Sequence, residues 1–239
     1  MPTLHRQVLN QMGEQICAGK FAPGDILPAE GELAELMQVS RITIRETMKS
    51  LSAKGMLQVR RRHGTIVLPR SHWQLFDPDV ITWRARSGVV DDDLIRDLME
   101  LRTIIEPNAA KLAAKRATPE DRIALRRAFK AMERAVAGQG EYVPADLAFH
   151  GAILTACHNQ FVQQMQNALS AILRTSFELS SEIEGGPARS LPMHEALCIA
   201  IEQGDAHAAE QAVLTLIERA EKDFDDRAAL ARTVNDTPS

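Results

Sequence analysis

The sequence predicts a mainly α-helical chain in two parts: an N-terminal winged helix-turn-helix, α with a small β-wing, and a C-terminal antiparallel all-α helical bundle. Three observations carry this. Two short helical patterns meet at Gln38-Val39-Ser40 and are followed by a strand, a basic tip and a second strand. Beyond about Asp91, apolar residues recur every three or four positions and almost no alternating pattern competes. Charge divides along the same line. The 239 residues carry a formal net charge of −4, yet residues 1–70 hold 10 Lys and Arg against 6 Asp and Glu, a net of +4. The remainder holds 18 against 26, a net of −8. A small basic reader joined to a larger acidic domain fits that asymmetry.

In chain order, Leu4, Val8, Leu9, Met12 and Ile16 give one apolar helix face from about Leu4 to Ala18. A turn-rich stretch, Gly19 to Glu30, leads into a short helix to about Met37, with Leu33, Leu36 and Met37 apolar. Ser40 suits the N-cap of the next helix, because its hydroxyl can accept an orphan amide of the first turn. Ile44, Met48 and Leu51 then form the buried face, while Arg41 and Arg45, one turn apart, project together near the helix N-terminus. That layout offers side chains to base edges in a major groove. Gly55-Met56-Leu57-Gln58-Val59 ends the helix and opens a strand, Arg60-Arg61-Arg62-His63-Gly64 forms a basic tip, and Thr65-Ile66-Val67-Leu68 returns. Three arginines at a tip suit a passing phosphate backbone.

Pro69 to Asp79 breaks the helical pattern and reads as a linker; Trp73, Phe76 and Trp83 predict that it docks on the second domain. Asp91-Asp92-Asp93 marks a helix start, where the macrodipole favours acids, and the pattern runs to Arg116 across Pro107, a candidate kink. Thr118-Pro119-Glu120-Asp121 combines an N-cap, a proline at the first helical position and two acids. Further helices are expected near 144–156, 160–184, 191–203 and 206–227. The expected division is residues 1–70 for the DNA-binding domain, 71–89 for the docked linker, 90–227 for the bundle and 228–239 for a frayed tail.

Within the bundle, Asp146 and His150 stand four residues apart on one helix and share a face. Arg102 and Glu106 repeat that spacing, and His194 lies on a later helix. Taken alone, such pairs are usually solvated or satisfied within a core. Cys17, Cys157 and Cys198 are scattered without a CxxC, which fits buried thiols in a reducing cytoplasm better than a disulfide frame. Neither a signal peptide nor an apolar run of spanning length is present, so a soluble cytoplasmic protein is expected.

The order of these residues resembles the GntR superfamily of bacterial transcription factors over residues 1 to about 70. The matching residues are Pro23-Gly24-Asp25, Leu27-Pro28, Glu30, Glu32-Leu33-Ala34, Val39-Ser40-Arg41, Arg45-Glu46, Leu51, Gly55 and Gly64-Thr65. The resemblance implies DNA contact through Ser40, Arg41, Thr43, Arg45 and Lys49 of the second helix of the pair, and through Arg60, Arg61, Arg62, His63 and Gly64 of the wing. Family members often carry an arginine where this chain has Gly31, which shifts the expected contact onto Arg41, Arg45 and the wing. Residues 90 to about 225 resemble the ligand-sensing FCD domain of the FadR subgroup through Arg102 to Pro107, Asp146 to His150, Asn159, His194 to Leu197 and Gly204-Asp205.

That second resemblance implies one divalent metal, zinc, nickel or similar, on Asp146, His150 and His194. It also implies a carboxylate effector reaching the metal and Arg102, with Glu106 and Ser190 in the effector set. The family's last histidine falls on Leu216, with His207 nearby, so the metal is expected to be weakly held or absent. In its absence, Arg102 would hold the carboxylate and Asp146, His150, His194 and Ser190 the hydroxyls. The pattern is similar to sugar-acid (galactonate-type) operon repressors: a homodimer on palindromic double-stranded operator DNA, released by a small hydroxy-carboxylate, with no membrane partner. The alternatives are a regulator of another carboxylate pathway, organic acid or acyl-CoA, and a metal-dependent hydrolase with a nucleic-acid tether. An acyl chain needs an apolar tunnel without an Asp/His floor, and no separate general base or nucleophile is present, so an enzyme is not expected.

Overall fold

The computed structural model describes residues 3–87, 92–166, 169–171, 173–174 and 185–235. It divides into two compact units, Met1–Asp91 and Asp92–Ser239. In the first unit, α1 (Leu4–Cys17) is capped by Thr3, whose hydroxyl accepts the Arg6 amide. α2 (Glu30–Leu36) starts where Glu32 accepts the Ala29 amide. Gln38 turns the chain with a φ of 54°, and α3 (Arg41–Ala53) begins on the Ser40 hydroxyl, 3.1 Å from the Thr43 amide. The apolar faces expected from the spacing meet: Val8, Met12, Ile16, Leu33, Ile44, Leu51 and Met56 share one core. Removing such side chains from water is the main favourable term for so small a unit.

The wing is an antiparallel pair, β1 (Leu57–Arg60) and β2 (Gly64–Val67), with Leu57 opposite Val67 and Arg60 opposite Gly64. Arg62 and Gly64 both hold positive φ at its tip, which lets three residues reverse the chain.

The linker differs from expectation in two ways. Pro78–Arg86 is a helix, α4, capped by Asp77 with proline in its first turn. Two of the linker's aromatics, Trp73 and Trp83, join the core of the first unit, where the sequence suggested docking on the second domain, and Phe76 is exposed. Trp73 and Trp83 lie in the same core as Met12 and Leu51, and Trp83 Nε1 donates to Asn10. The Trp83 ring lies where a Cβ on Gly13 would fall, 2.3 Å away, so the bare helix face at Gly13 is its socket. Lys54 pairs with Asp77 and Asp79 at 2.7 and 2.9 Å, and Arg6 also pairs with Asp79. A linker this aromatic gains more by covering a nearby apolar face than by remaining in water.

The second unit is helical among its described residues: α5 (Asp92–Arg116), α6 (Pro119–Val136), α7 (Tyr142–Ala156), α8 (Gln160–Gln164), α9 (Gly186–Gln203) and α10 (Ala206–Asn235). α5 packs on α7 and α10, α6 packs on α7, and α9 lies against α5, α6 and α10. Thr118 and Asp121 form a reciprocal capping box at the start of α6. Ala109, Ala110, Ala113 and Ala114 let neighbours approach α5 closely. α5 is continuous through Pro107. α9 starts five residues before the expected Leu191, with Pro187 in its first turn, so Ser190 sits on the helix one turn before His194. α10 reaches Asn235, past the expected end at Arg227, through the helix-favouring run Ala228-Ala229-Leu230-Ala231-Arg232. The expected helix from Gln160 to Glu184 lies partly outside the described residues. No helix among the described residues is long and apolar enough to cross a membrane.

Candidate functional site

The first unit presents a basic surface built from α3 and the wing. Arg41, Arg45 and Lys49 are exposed on α3, and Arg60, Arg61, Arg62, His63 and Gly64 are exposed on the wing. Ser40 and Thr43 are joined by a 2.9 Å hydroxyl–hydroxyl contact. Arg45 is held by Glu30, with Nε and Nη2 at 3.1 and 2.9 Å from one carboxylate oxygen. The Arg41 guanidinium lies over Gly31, 3.1–3.4 Å from where a Cβ would stand. The glycine on α2 therefore gives that guanidinium its resting place. Lys49 pairs with Glu46, one turn back. These cations lie on one helix face and one hairpin tip, the two elements that enter a groove and flank it in a winged reader.

The second unit has a cleft lined by several charged side chains, with about 450 Å³ of atom-free space counting the open solvent at its mouth. α5 contributes Arg102, α7 contributes Tyr142, Asp146 and His150, α9 contributes Gly186, Pro187, Ser190 and His194, and α10 contributes Leu216, Arg219, Ala220 and Asp223. Arg102, Asp146, His150 and His194 are each at least 96% buried. So many ionisable groups in a core are costly unless paired or ligated.

The pairing is specific. Arg102 Nε donates to Glu106 Oε1 at 2.7 Å. Glu106 Oε2 lies 3.2 Å from His150 Nδ1. Burial alone would raise the Glu106 carboxyl, but the Arg102 guanidinium, and then His150, hold it down at about 2. His194 Nδ1 lies 2.9 Å from the Ser190 carbonyl, an acceptor only, so that nitrogen donates a proton to it and Nε2 is the ring nitrogen turned toward Asp146. Nε2 of His194 and Nε2 of His150 lie 3.2 and 3.4 Å from Asp146 Oδ1. Despite that distance, neither His194 Nε2 nor Asp146 Oδ1 has a well-directed hydrogen bond among the described residues. Phe149, fully buried, packs edge-on against both imidazoles and fixes their rings.

Two imidazole nitrogens and a carboxylate oxygen within 4.8 Å of one another, with the far nitrogen of His194 bonded to a carbonyl and that of His150 3.2 Å from a carboxylate oxygen, fit a divalent transition metal. Leu216 lines the same cleft without a donor atom. His207 is exposed in the first turn of α10, its amide bonded to Asp205, and is not among the cleft's lining residues.

The structure thus brings Arg102, Asp146, His150, Ser190 and His194 together. It places Glu106 behind Arg102 and His150, where its oxygens hold them rather than line the cleft. Ser190 is engaged already: its hydroxyl donates to Pro187 O at 3.1 Å and meets the Tyr142 hydroxyl at 2.8 Å. Sequence reasoning missed Tyr142, Arg219 and Asp223. Counting from Leu216, residues 219, 220 and 223 fall at three, four and seven positions, the spacing of one helix face, and would have pointed to Arg219 and Asp223; Tyr142 stands four residues before Asp146.

Comparison with known proteins identifies both parts of the chain. Residues 4–67 match the family described as bacterial regulatory proteins, gntR family, and residues 97–219 match the FCD domain. The chain is 37% identical over 212 residues to the galactonate operon transcriptional repressor of Escherichia coli K12, covering 88% of this chain and 92% of that one. It is 34% identical over 164 residues to the Uxu operon transcriptional regulator of the same organism, 67% of this chain and 61% of that one. Among solved structures, the Streptococcus agalactiae GntR protein matches at 27% identity with a TM-score of 0.50, over 92% of this chain and all of that one. The Listeria monocytogenes regulator Lar has the same fold, with a TM-score of 0.68 at 20% identity over 94% and 98% of the two chains.

Proposed function

The chain belongs to the gntR family of bacterial transcriptional regulators, with an FCD domain as its second part, and from that premise we propose that it is a sugar-acid-responsive repressor. The observation that carries the effector class is the buried cleft in which Arg102, Asp146, His150 and His194 converge. A carboxylate taken into a helical core must be paired. Arg102 provides a planar guanidinium for it, and the hydroxyl-rich remainder of a sugar acid suits the polar wall. The names of the two Escherichia coli relatives, which point to galactonate and Uxu operons, support the same class. An acyl-CoA reading has nothing comparable, since the cleft has charged walls and floor.

Asp146, His150 and His194 would hold a single divalent metal through one oxygen and two nitrogens, and Glu106 and the Ser190 carbonyl would fix the two rings. When bound, the metal supplies a Lewis-acidic point to which carboxylate and α-hydroxyl oxygens can bind. With Leu216 in place of a further donor, such a site keeps water in its inner shell and binds less tightly.

On DNA, α3 enters the major groove with Arg41 and Arg45 leading, and the three wing arginines neutralise the backbone. Two copies reading two half-sites account for a palindromic operator and double the contact set. The effector acts by binding the DNA-incompetent dimer more tightly than the competent one. The test is a thermal-shift screen of aldonic and uronic acids, with and without chelator. A ligand that binds only the folded state raises the melting point. A sugar acid that does so, and does so less after chelation, is expected; stabilisation by fatty acyl-CoA alone would contradict the reading.

A further inference from the structure

Asp223 is an ionisable side chain in the cleft wall to which neither the DNA-binding nor the carboxylate-binding reading gives a role. It is 94% buried, and its neighbour Arg219 donates to its Oδ1 at 2.7 Å across one turn of α10. Leu216, Arg219, Ala220 and Asp223 form one stripe of α10 along the cleft. From Leu216 to Asp223 this stripe runs two helical turns, about 10 Å. A buried carboxylate in contact with a partly exposed guanidinium presents an unusual wall. The carboxylate retains acceptor sites beyond the one Arg219 uses, and the guanidinium retains donors beyond the one it gives. The Tyr142–Ser190 hydroxyl pair adds a further polar edge on the same cleft, 2.8 Å between oxygens. Burial raises the Tyr142 phenol well above its usual range, so it stays protonated.

A group that can donate to a carboxylate and accept from an adjoining guanidinium is a hydroxyl, and neighbouring hydroxyls on one carbon chain can do both at once. A second carboxylate would meet Asp223 as a like charge, and an alkyl tail would leave both ions without polar contacts in a desolvated wall. From this arrangement we infer that Arg219 and Asp223 form a polyol subsite that recognises the hydroxylated tail of an open-chain sugar acid and discriminates it from short hydroxy acids. The inference rests on the reading that the cleft binds a hydroxy-carboxylate, and adds which residues read its far end. The short acid glycolate carries the carboxylate and α-hydroxyl but cannot extend along this stripe; gluconate, galactonate and mannonate can.

The test is isothermal titration of full-length protein, loaded with one divalent metal under identical conditions, against those hexonates and glycolate. Asp223→Leu removes the acceptor and Arg219→Gln removes the cation, and the second variant keeps a polar partner for Asp223 should the first fail to fold. Each is expected to weaken the preferred hexonate at least about tenfold, the loss of a charge-assisted hydrogen bond, and to leave glycolate within about twofold. Variants that bind the hexonate as wild type does overturn the subsite and leave the carboxylate reading intact. Equal losses for glycolate and hexonate also overturn it, because they mark a general collapse of the cleft. Wild-type protein that binds neither probe refutes the underlying reading, and the subsite with it.

Discussion

Replacing Glu106 by leucine separates the structural role of the buried network from ligand chemistry. Arg102 is 1% exposed and Glu106 is 5% exposed, and they share a 2.7 Å bond. The attraction outweighs burial: the Glu106 carboxyl is held at about 2 rather than 4.5, a difference of roughly 3 kcal/mol. Glu106→Leu deprives a buried guanidinium of that carboxylate, a change that costs about 3–5 kcal/mol. For a domain of this size, that lowers the melting temperature by about 6–20 °C. Arg102→Met on its own strands the carboxylate and costs a similar amount. The double variant Arg102→Met/Glu106→Leu replaces the ions with apolar side chains of similar reach, and buried pairs replaced in this way are often close to neutral. It retains a smaller penalty, because His150 Nδ1 also loses the carboxylate oxygen 3.2 Å away. The double variant should therefore be more stable than either single one, with a coupling of at least about 2 kcal/mol in a urea-melt cycle. Single-variant losses that simply add would show that the two ions do not depend on each other, and the reasoning about the cleft's floor would fail.

Other expectations follow from the same contacts. Gly31→Ala should keep or slightly raise the melting temperature, since alanine favours the helix, yet lower DNA affinity. Its Cβ would push the Arg41 guanidinium away by a few tenths of an ångström, and unchanged affinity would mean that Arg41's resting position is irrelevant. Arg41→Ala should cost about 1–3 kcal/mol of specific binding. Neutralising Arg60, Arg61 and Arg62 together should weaken all sequences and flatten the salt dependence; a sequence-selective loss would move the wing into the reading role. Leu216→His should tighten divalent metal in a competition titration, and a chelator-resistant ion in the native protein would contradict the weakened site. Asp79 is desolvated, but the bonds from Arg6 and Lys54 prevail and lower its pKa below the ordinary 3.8. Its stabilising contribution is therefore full above that value and lost as pH falls below it. Asp79→Asn should flatten the acid limb of the first unit's stability profile.

Much of this was legible because it is local. Ser40, Thr118 and Asp121 cap the helices that their spacing announced, and Arg60 to Gly64 turn where a basic, glycine-ended tip suggested. Asp146 and His150 share a helix face for reasons of period alone. The docking side of Trp83 was not legible, because it depends on the bare socket at Gly13, far away in sequence. α4 was missed although Asp77-Pro78 is a cap followed by proline; its flanking turns and aromatics masked that signal. Arg219 and Asp223 were overlooked because a four-residue ion pair on a helix reads as a solvated one until packing buries it. Glu106 was expected beside the effector, and only the fold shows it turned toward Arg102 and His150.

The central claim, that an acid bound in the helical cleft controls DNA binding, is tested most directly by operator release. Fluorescence anisotropy of a labelled operator, selected by the protein from random-sequence DNA, would be followed while the preferred hexonate is titrated. Wild-type protein should be released. Arg102→Met/Glu106→Leu should bind the operator as wild type does and remain bound at effector concentrations that free the wild type. Reciprocally, saturating operator should weaken hexonate binding by the factor by which hexonate weakens operator binding. Release of the double variant at the wild-type effector concentration would contradict the account.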